Sequence, residues 1–324
     1  MINIETINQA YTKIASLINF TPLIKSDYLS ELCNGEVYLK LENLQITNSF
    51  KIRGAYNKIL SLSEKEKKQG IITASSGNHA QAVAVVAEKL GVNAKIVVPK
   101  NTPKIKIQKI MDHDVELVIY GQNYDQAELY SRELANKDKR VYVSAYNDEM
   151  IIAGQGTIGL EIFQQCPKAS NILVPLGGGG LISGIAIALR YLIPSIKIIG
   201  VQTAACPVFY ESLKKGKIID VEMKESIADG MYGGIEYNSI TFELVNKFVD
   251  KVTVVTEDSI KKAIGILWEK EAQKVEGAAA AAIAPILDNK NEYENSLTVC
   301  ILSGGNIDDA LFTKIISDFK VTNF

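Results

Sequence analysis

From Lys51 to Val143, and again from Glu149 to Phe319, short apolar runs alternate with segments of helical periodicity. That alternation leaves few ways to fold. In the first series the strand candidates are Ile71–Ala74, Ala94–Val98, Val115–Ile119 and Val141–Val143, separated by helical patterns at Asn78–Leu90, Pro103–Met111 and Tyr124–Ala135. The second runs through a helix to Phe163, strand Ile172–Pro175, helix Leu181–Leu192 and strand Ile196–Val201. After a loop-rich stretch it resumes with strand Lys251–Val255, helices from Asp258 and Gly277, strand Leu297–Leu302 and a helix near Asp308–Phe319. Strands joined through helices form parallel sheets by right-handed crossovers. Two such series predict an α/β protein of two units, with a cleft between them as the usual place for a cofactor. Ahead of them lie an amphipathic helix over Glu5–Leu17, a turn at Thr21-Pro22, a short helix over Asp27–Leu32 and a strand-like Val37–Leu41. The run Ala278–Ala282 reads as helix-favouring core packing. Pattern alone suggests a simple division near residue 148.

Composition narrows the partners. With 324 residues and 47% hydrophobic content the chain is long enough for two domains with a large core. A formal charge of −2 gives no electrostatic case for nucleic acid or an anionic membrane as partner. Lysines gather at Lys100–Lys109, but acids follow at once, so a solvated helix face is expected there. Cys33, Cys166, Cys206 and Cys300 are scattered without metal-like spacing, which suits a reducing, cytoplasmic setting. No run approaches the ~20 apolar residues of a membrane span. The start, Met1-Ile2-Asn3-Ile4-Glu5, has no basic-then-apolar signal. Two histidines cannot build a His-rich metal site, and no metal is expected.

Three stretches carry chemistry. Strand Ile172–Pro175 runs into Gly177, Gly178, Gly179 and Gly180 and then a helix. Four glycines let backbone N–H groups turn inward at a positive helix terminus, which makes a cup for a phosphate dianion rather than a merely flexible turn. Ser75-Ser76-Gly77-Asn78-His79-Ala80-Gln81 links a strand to a helix. Its hydroxyls, amide and backbone N–H groups suit a carboxylate, whereas ordinary N-capping needs one such residue. Ser49-Phe50-Lys51-Ile52-Arg53-Gly54-Ala55 places a lysine near a helix start, beside an aromatic ring and two residues before an arginine. Unpaired backbone N–H groups, the helix dipole and the apolar neighbour Phe50 all disfavour the cation, and a lysine that gives up its proton is a nucleophile for carbonyls. For a lone lysine the solvated first-turn reading would prevail. A fourth stretch is a decoy. Gly154-Gln155-Gly156-Thr157-Ile158-Gly159 matches the dinucleotide fingerprint. No strand precedes it and no acid follows at the required distance, so close helix packing is the better reading.

Ser-Phe-Lys-Ile-Arg-Gly-Ala resembles the cofactor-lysine motif of the fold-type II pyridoxal-phosphate enzymes, in the threonine dehydratase and serine racemase branch. The resemblance extends from Thr21-Pro22-Leu23 to about Asn306. It departs at Asn48, where that branch usually has glycine; asparagine also tolerates left-handed backbone angles. The resemblance implies a tryptophan-synthase-β-like fold of two doubly wound α/β domains, with pyridoxal 5'-phosphate in the cleft. The small domain would be inserted over residues 48–147, and residues 1–47 and 148–324 would form the large one. It further implies that Lys51 holds the cofactor covalently and later takes the Cα proton, with Phe50 beside it. Gly177, Gly178, Gly179 and Gly180 would hold the phosphate and Asn78 the ring oxygen. Ser303, in Ser303-Gly304-Gly305-Asn306, would bond the pyridine nitrogen, and Glu276 would stand at the cofactor's side. Ser75, Ser76, Gly77, Asn78 and His79 would surround the substrate, with Ser76 at the place of the racemases' second base. His79 has no nearby partner for a metal.

The activity implied is β-elimination from L-threonine or L-serine, giving 2-oxobutyrate or pyruvate and ammonia in amino-acid catabolism. A neutral serine at the ring nitrogen leaves a weaker electron sink, which favours quick loss of a β-leaving group. Serine racemase and 3-hydroxyaspartate dehydratase are the near alternatives. Cysteine-synthase-like replacement fits the serine loop and tetraglycine less well, and a non-catalytic pyridoxal-phosphate carrier would not need the Ser75–His79 loop. Racemases of the branch bind a divalent cation through two carboxylates after the strand ending near Val201. Here those positions are Gln202 and Val208, Thr203–Pro207 holds no acid, and Gly121–Ala127 holds no basic residue. No metal requirement is therefore expected. The chain ends at Phe324, so feedback inhibition by isoleucine is not expected. A homodimer or homotetramer is the expected assembly.

Overall fold

Ten strands among the described residues assort into two sheets. The computed structural model describes residues 2–322. Met1, and the end at Phe324 behind the isoleucine expectation, lie outside the described residues. The strands are β1 (Leu23–Lys25), β2 (Glu36–Lys40), β3 (Ile71–Ala74), β4 (Ala94–Val98), β5 (Glu116–Ile119), β6 (Val141–Tyr142), β7 (Asn171–Pro175), β8 (Lys197–Thr203), β9 (Lys251–Val255) and β10 (Leu297–Ile301). One sheet has six strands in the order β1-β2-β10-β7-β8-β9; the other has four, β5-β4-β3-β6. All pairings are parallel except β1 with β2. β4 and β7 are buried at every position, as strands covered by helices on both faces must be.

The pairing of β2 with β10 joins the two ends of the chain, with Leu39 opposite Cys300 and Lys40 opposite Ile301. The segment after β2 therefore emerges beside the segment after β10. An isolated bridge between Ser49 and Gly304 ties them. Phe50 N–H donates to Ser303 O at 3.1 Å, and Gly305 N–H to Asn48 O at 2.8 Å. Asn48 has φ of 51°, a left-handed angle that asparagine takes more readily than most residues.

The dinucleotide-like glycines lie in mid-helix, within Glu149–Gln165. They let that helix press on Gly180–Leu192 and Lys51–Leu60. A Cβ on Gly154 would stand 2.6 Å from Gly54 Cα, and one on Gly184 would stand 2.3 Å from Ile152 O. Helix packing is thus their role.

Several elements differ from the sequence pattern. The Glu5–Leu17 helix is Ile4–Ile14, opened by a capping box between Asn3 and Thr6. β8 continues through Thr203, so Gln202 belongs to the strand rather than to the segment after it. Helices Val208–Lys215 and Ile240–Phe248 lie inside the stretch read as loop-rich, and Glu64–Gln69 is a further helix capped by Ser63 and Glu66. Each is short, and their formation is decided by capping and by burial of a few apolar residues rather than by a long periodic run. No helix among the described residues is long and apolar enough to cross a membrane. All four cysteines are free and buried.

Candidate active site

Lys51 opens the helix Lys51–Leu60, whose N-cap, Phe50, offers no side-chain acceptor. Its Nζ donates to Ala145 O at 2.9 Å and lies 5.2 Å from the centre of the Phe50 ring. Burial lowers its pKa to about 8, against the opposing pull of Glu276. A sizeable fraction of this amine is neutral near physiological pH, as a nucleophile and base must be.

Behind Lys51 the same helix is anchored by a buried charge cluster. Arg53 is forked onto Glu42 (Nε–Oε2 and Nη2–Oε1, both 2.8 Å) and onto Glu161 (2.6 and 3.0 Å). Lys40 Nζ meets Glu161 Oε2 at 2.6 Å, Thr21 O at 2.7 Å and Gln165 Oε1 at 2.9 Å. Burial alone would raise the Glu42 carboxyl, but Arg53 and Lys40 hold it below its usual value. Two cations face two carboxylates, so the cluster is neutral as a whole. It bolts β2 and the Glu149–Gln165 helix to the first turn that carries Lys51.

The glycine loop lies where β7 gives way to the Gly180–Leu192 helix. Among the described residues, no acceptor meets the backbone N–H groups of Gly177, Gly178, Gly179 and Gly180. Tyr146, Phe209 and Thr241 crowd the loop. A Cβ on Gly178 would lie 2.4 Å from the Tyr146 ring, and Gly179, at φ +85°, would meet Thr241 at 2.8 Å. Side chains are excluded there, and the unpaired donors at a helix terminus remain for an anion.

The serine loop follows β3. Ser75 Oγ accepts from Gly77 N–H at 3.2 Å, and the space beyond the Gly77 Cα is open for 4 Å. Ser76 is half-buried beside it. Asn78 Nδ2 donates to both Glu276 oxygens, at 2.9 and 3.0 Å, while its Oδ1 accepts from Asn306 Nδ2 at 2.7 Å. Burial, then Asp229, pushes the Glu276 carboxyl up to about 7. His79 lies 3.2 Å, through Nε2, from Val143 O; a carbonyl only accepts, so the proton is on Nε2. Burial and the nearby Lys51 hold its pKa down to about 3, so the ring is neutral. Ser303 is buried just past β10.

The C-terminal ends of β2, β10, β7 and β3 thus bring Lys51, Ser303, the glycine loop and the serine loop to one cleft. The arrangement fits pyridoxal phosphate: unpaired N–H groups for a dianion, a depressed-pKa lysine for an aldehyde, and buried polar side chains between them. Other residues at the site carried no sequence signal of their own. Tyr146 and Thr241 press on the glycine loop, and Ala145 O receives Lys51. Lys106, on the largely exposed face expected there, reaches Asp229 Oδ2 at 2.6 Å. A single polar or aromatic residue in a loop has no periodicity to betray it.

Comparison with known proteins agrees with this geometry. The sequence matches the family described as pyridoxal-phosphate dependent enzyme over residues 14–304. It is 43% identical to an L-threonine ammonia-lyase of Thermotoga maritima, over 98% of this chain and 79% of that protein. It is 40% identical to a catabolic L-threonine dehydratase of Escherichia coli, over 94% and 93%. The fold superposes on a maize serine racemase with a TM-score of 0.92 at 31% identity, covering 100% of this chain and 99% of that one.

Proposed function

From the premise that this chain belongs to the pyridoxal-phosphate dependent enzyme family, we propose that it is a lyase releasing ammonia from L-threonine and L-serine. The observation that carries this is the meeting, in one cleft, of a lysine with pKa about 8 and four unpaired glycine N–H groups. Bound pyridoxal phosphate supplies an electron sink for the pair left when a Cα–H bond breaks. Lys51 Nζ accepts that proton. Gly177, Gly178, Gly179 and Gly180 would hold the phosphate through backbone N–H groups, and the Ser303 hydroxyl would donate to the ring nitrogen without charging it. Asn78, its Nδ2 on Glu276 and its Oδ1 on Asn306, would stand beside the ring oxygen. The Ser75 and Ser76 hydroxyls would orient the substrate carboxylate, with the Gly77 N–H holding Ser75 Oγ in place, and neutral His79 keeps a second cation away from Lys51. The β-hydroxyl departs as water with the proton that Lys51 Nζ has taken up, and a water later replaces the amine, so threonine gives 2-oxobutyrate and ammonia.

Elimination is favoured over racemisation by this chain's own residues. Gln202 spends its amide on Tyr210 N–H (2.8 Å) and Cys206 O (3.4 Å), and Val208 is packed in the core. Neither is free to hold a hard cation. Curated relatives at 43% and 40% identity are an ammonia-lyase and a dehydratase. The same reading divides the chain into a large domain (1–47 and 148–324) and a small inserted one (48–147), in a cytoplasmic homodimer or homotetramer. Purified protein is to be incubated with L-threonine, L-serine and 3-hydroxyaspartate, with and without a chelator. Release of 2-oxo acid and ammonia from threonine or serine, indifferent to the chelator, is expected. D-serine outpacing pyruvate, or activity lost on chelation and restored by a divalent ion, overturns the reading.

A further inference from the structure

The helix Ile240–Phe248 begins against the glycine loop, and its first turn carries a directed chain of hydrogen bonds. Thr241 N–H donates to Ser239 Oγ at 3.3 Å, Ser239 Oγ and Thr241 Oγ1 are 2.7 Å apart, and Thr241 Oγ1 lies 2.8 Å from Gly178 O. A carbonyl only accepts, so the one Thr241 hydroxyl proton goes to Gly178 O and Ser239 must donate to Thr241. Both side chains are buried.

The carbonyl of Gly178 and the N–H of Gly179 are opposite ends of one planar trans peptide, so they point in opposite directions. A carbonyl held toward Thr241 holds the Gly179 N–H on the far side. Glycine-to-glycine peptides flip at little cost, because neither neighbour has a Cβ to resist. A flipped peptide would present a carbonyl oxygen where the anion needs a donor. We infer that Thr241, oriented by Ser239, is a positioning residue that locks the Gly178–Gly179 peptide with its N–H toward the cofactor phosphate. The inference rests on the reading of Gly177–Gly180 as the phosphate loop. Capping alone does not explain the pair, since Ser239 caps the helix whether or not Thr241 bears a hydroxyl.

The test compares equilibrium binding of pyridoxal 5'-phosphate and of pyridoxal to apoprotein, followed by absorbance, for wild type, Thr241→Val and Thr241→Ser. Both ligands carry the aldehyde that Lys51 takes up, so the ratio of their affinities isolates the phosphate. Thr241→Val keeps the shape and removes the donor. It is expected to bind pyridoxal phosphate about tenfold more weakly, the effect of one lost buried hydrogen bond, with pyridoxal unchanged and Thr241→Ser restoring the ratio. Equal weakening of both ligands, or an unchanged ratio in Thr241→Val, overturns the inference. A wild-type protein that does not prefer pyridoxal phosphate to pyridoxal overturns the phosphate-loop reading and the inference together. Should Thr241→Val fail to fold, Ser239→Gly removes the donor to Thr241 while glycine remains tolerable at an N-cap. A ratio shifted in the same direction then supports the inference, and an unshifted one overturns it.

Discussion

Lys51 and its two titrating neighbours set the chemistry at the residue scale. Lys51→Ala should lose both the visible absorbance of lysine-bound cofactor and 2-oxo acid release, since one amine serves as anchor and base. Wild-type turnover in that variant would contradict the role. Glu276 and His79 make the stability of the apoprotein a subtler matter. The Glu276 pKa is raised to about 7, so the native state binds more protons than the unfolded chain from about pH 4.5 upward, and stability falls as pH rises to 7. The His79 pKa is lowered to about 3, so the unfolded chain binds more protons up to about pH 6.5, and stability rises with pH over that range. The two slopes oppose each other between about pH 4.5 and 6.5. Glu276→Gln should unmask the histidine: its melting temperature is expected to climb with pH across that window, relative to a flatter wild type. Parallel profiles for the two proteins would show that Glu276 does not titrate there.

Among the elements, the helices Glu149–Gln165 and Gly180–Leu192 pack more closely than side chains would allow. A Cβ at Gly184 would stand 2.3 Å from Ile152 O and 2.5 Å from Gly156 N, both backbone atoms that cannot swing aside. Gly184→Ala should destabilise the protein by about 1–3 kcal/mol through overpacking, read from denaturant unfolding. A midpoint equal to wild type would mean that the helices separate freely. Strands β3, β4 and β7 were legible almost to the residue because buried apolar runs between helical patterns are a strong signal, and the less buried β9 because its run is β-branched. The three-residue β1 and the capped helices Glu64–Gln69, Val208–Lys215 and Ile240–Phe248 were not, since runs so short do not establish a period. Ile240–Phe248 matters most among these omissions, as it carries Thr241 to the glycine loop.

At the scale of the whole molecule, two ion pairs cross from helices beside the four-stranded sheet to the segment lying over the glycine loop. Lys106 Nζ meets Asp229 Oδ2 at 2.6 Å, and Arg132 Nη2 meets Glu236 Oε2 at 3.0 Å. Between them Gly230 O stands against Gly177, where a Cβ would come within 3.0 Å. Partly exposed pairs contribute little to global stability, roughly 0–1 kcal/mol each. Replacing Lys106 and Arg132 together by alanine should therefore change the melting temperature little. It should still speed cofactor release several-fold, by loosening the segment over the loop. The measurement is the rate at which holoprotein gives up cofactor to an excess of scavenging apoenzyme. An unchanged rate would reduce both pairs to surface decoration.

By itself the sequence determined the α/β alternation, the glycine cup, the serine loop and the motif around Lys51. All of these are local: they depend on residues a few positions apart, on one strand end or one helix start. It also showed that the dinucleotide-like glycines lacked a strand before them. Only the tertiary structure decided which strand ends meet. Leu39 and Cys300 are adjacent because β2 and β10 pair across nearly the whole chain, and that pairing sets Lys51 beside Ser303. It alone put Tyr146 and Thr241 against the glycine loop and carried Lys106 to Asp229. Contacts between residues remote in sequence are settled by packing of whole elements, and an isolated tyrosine, threonine or lysine leaves no pattern along the chain from which that packing could be read.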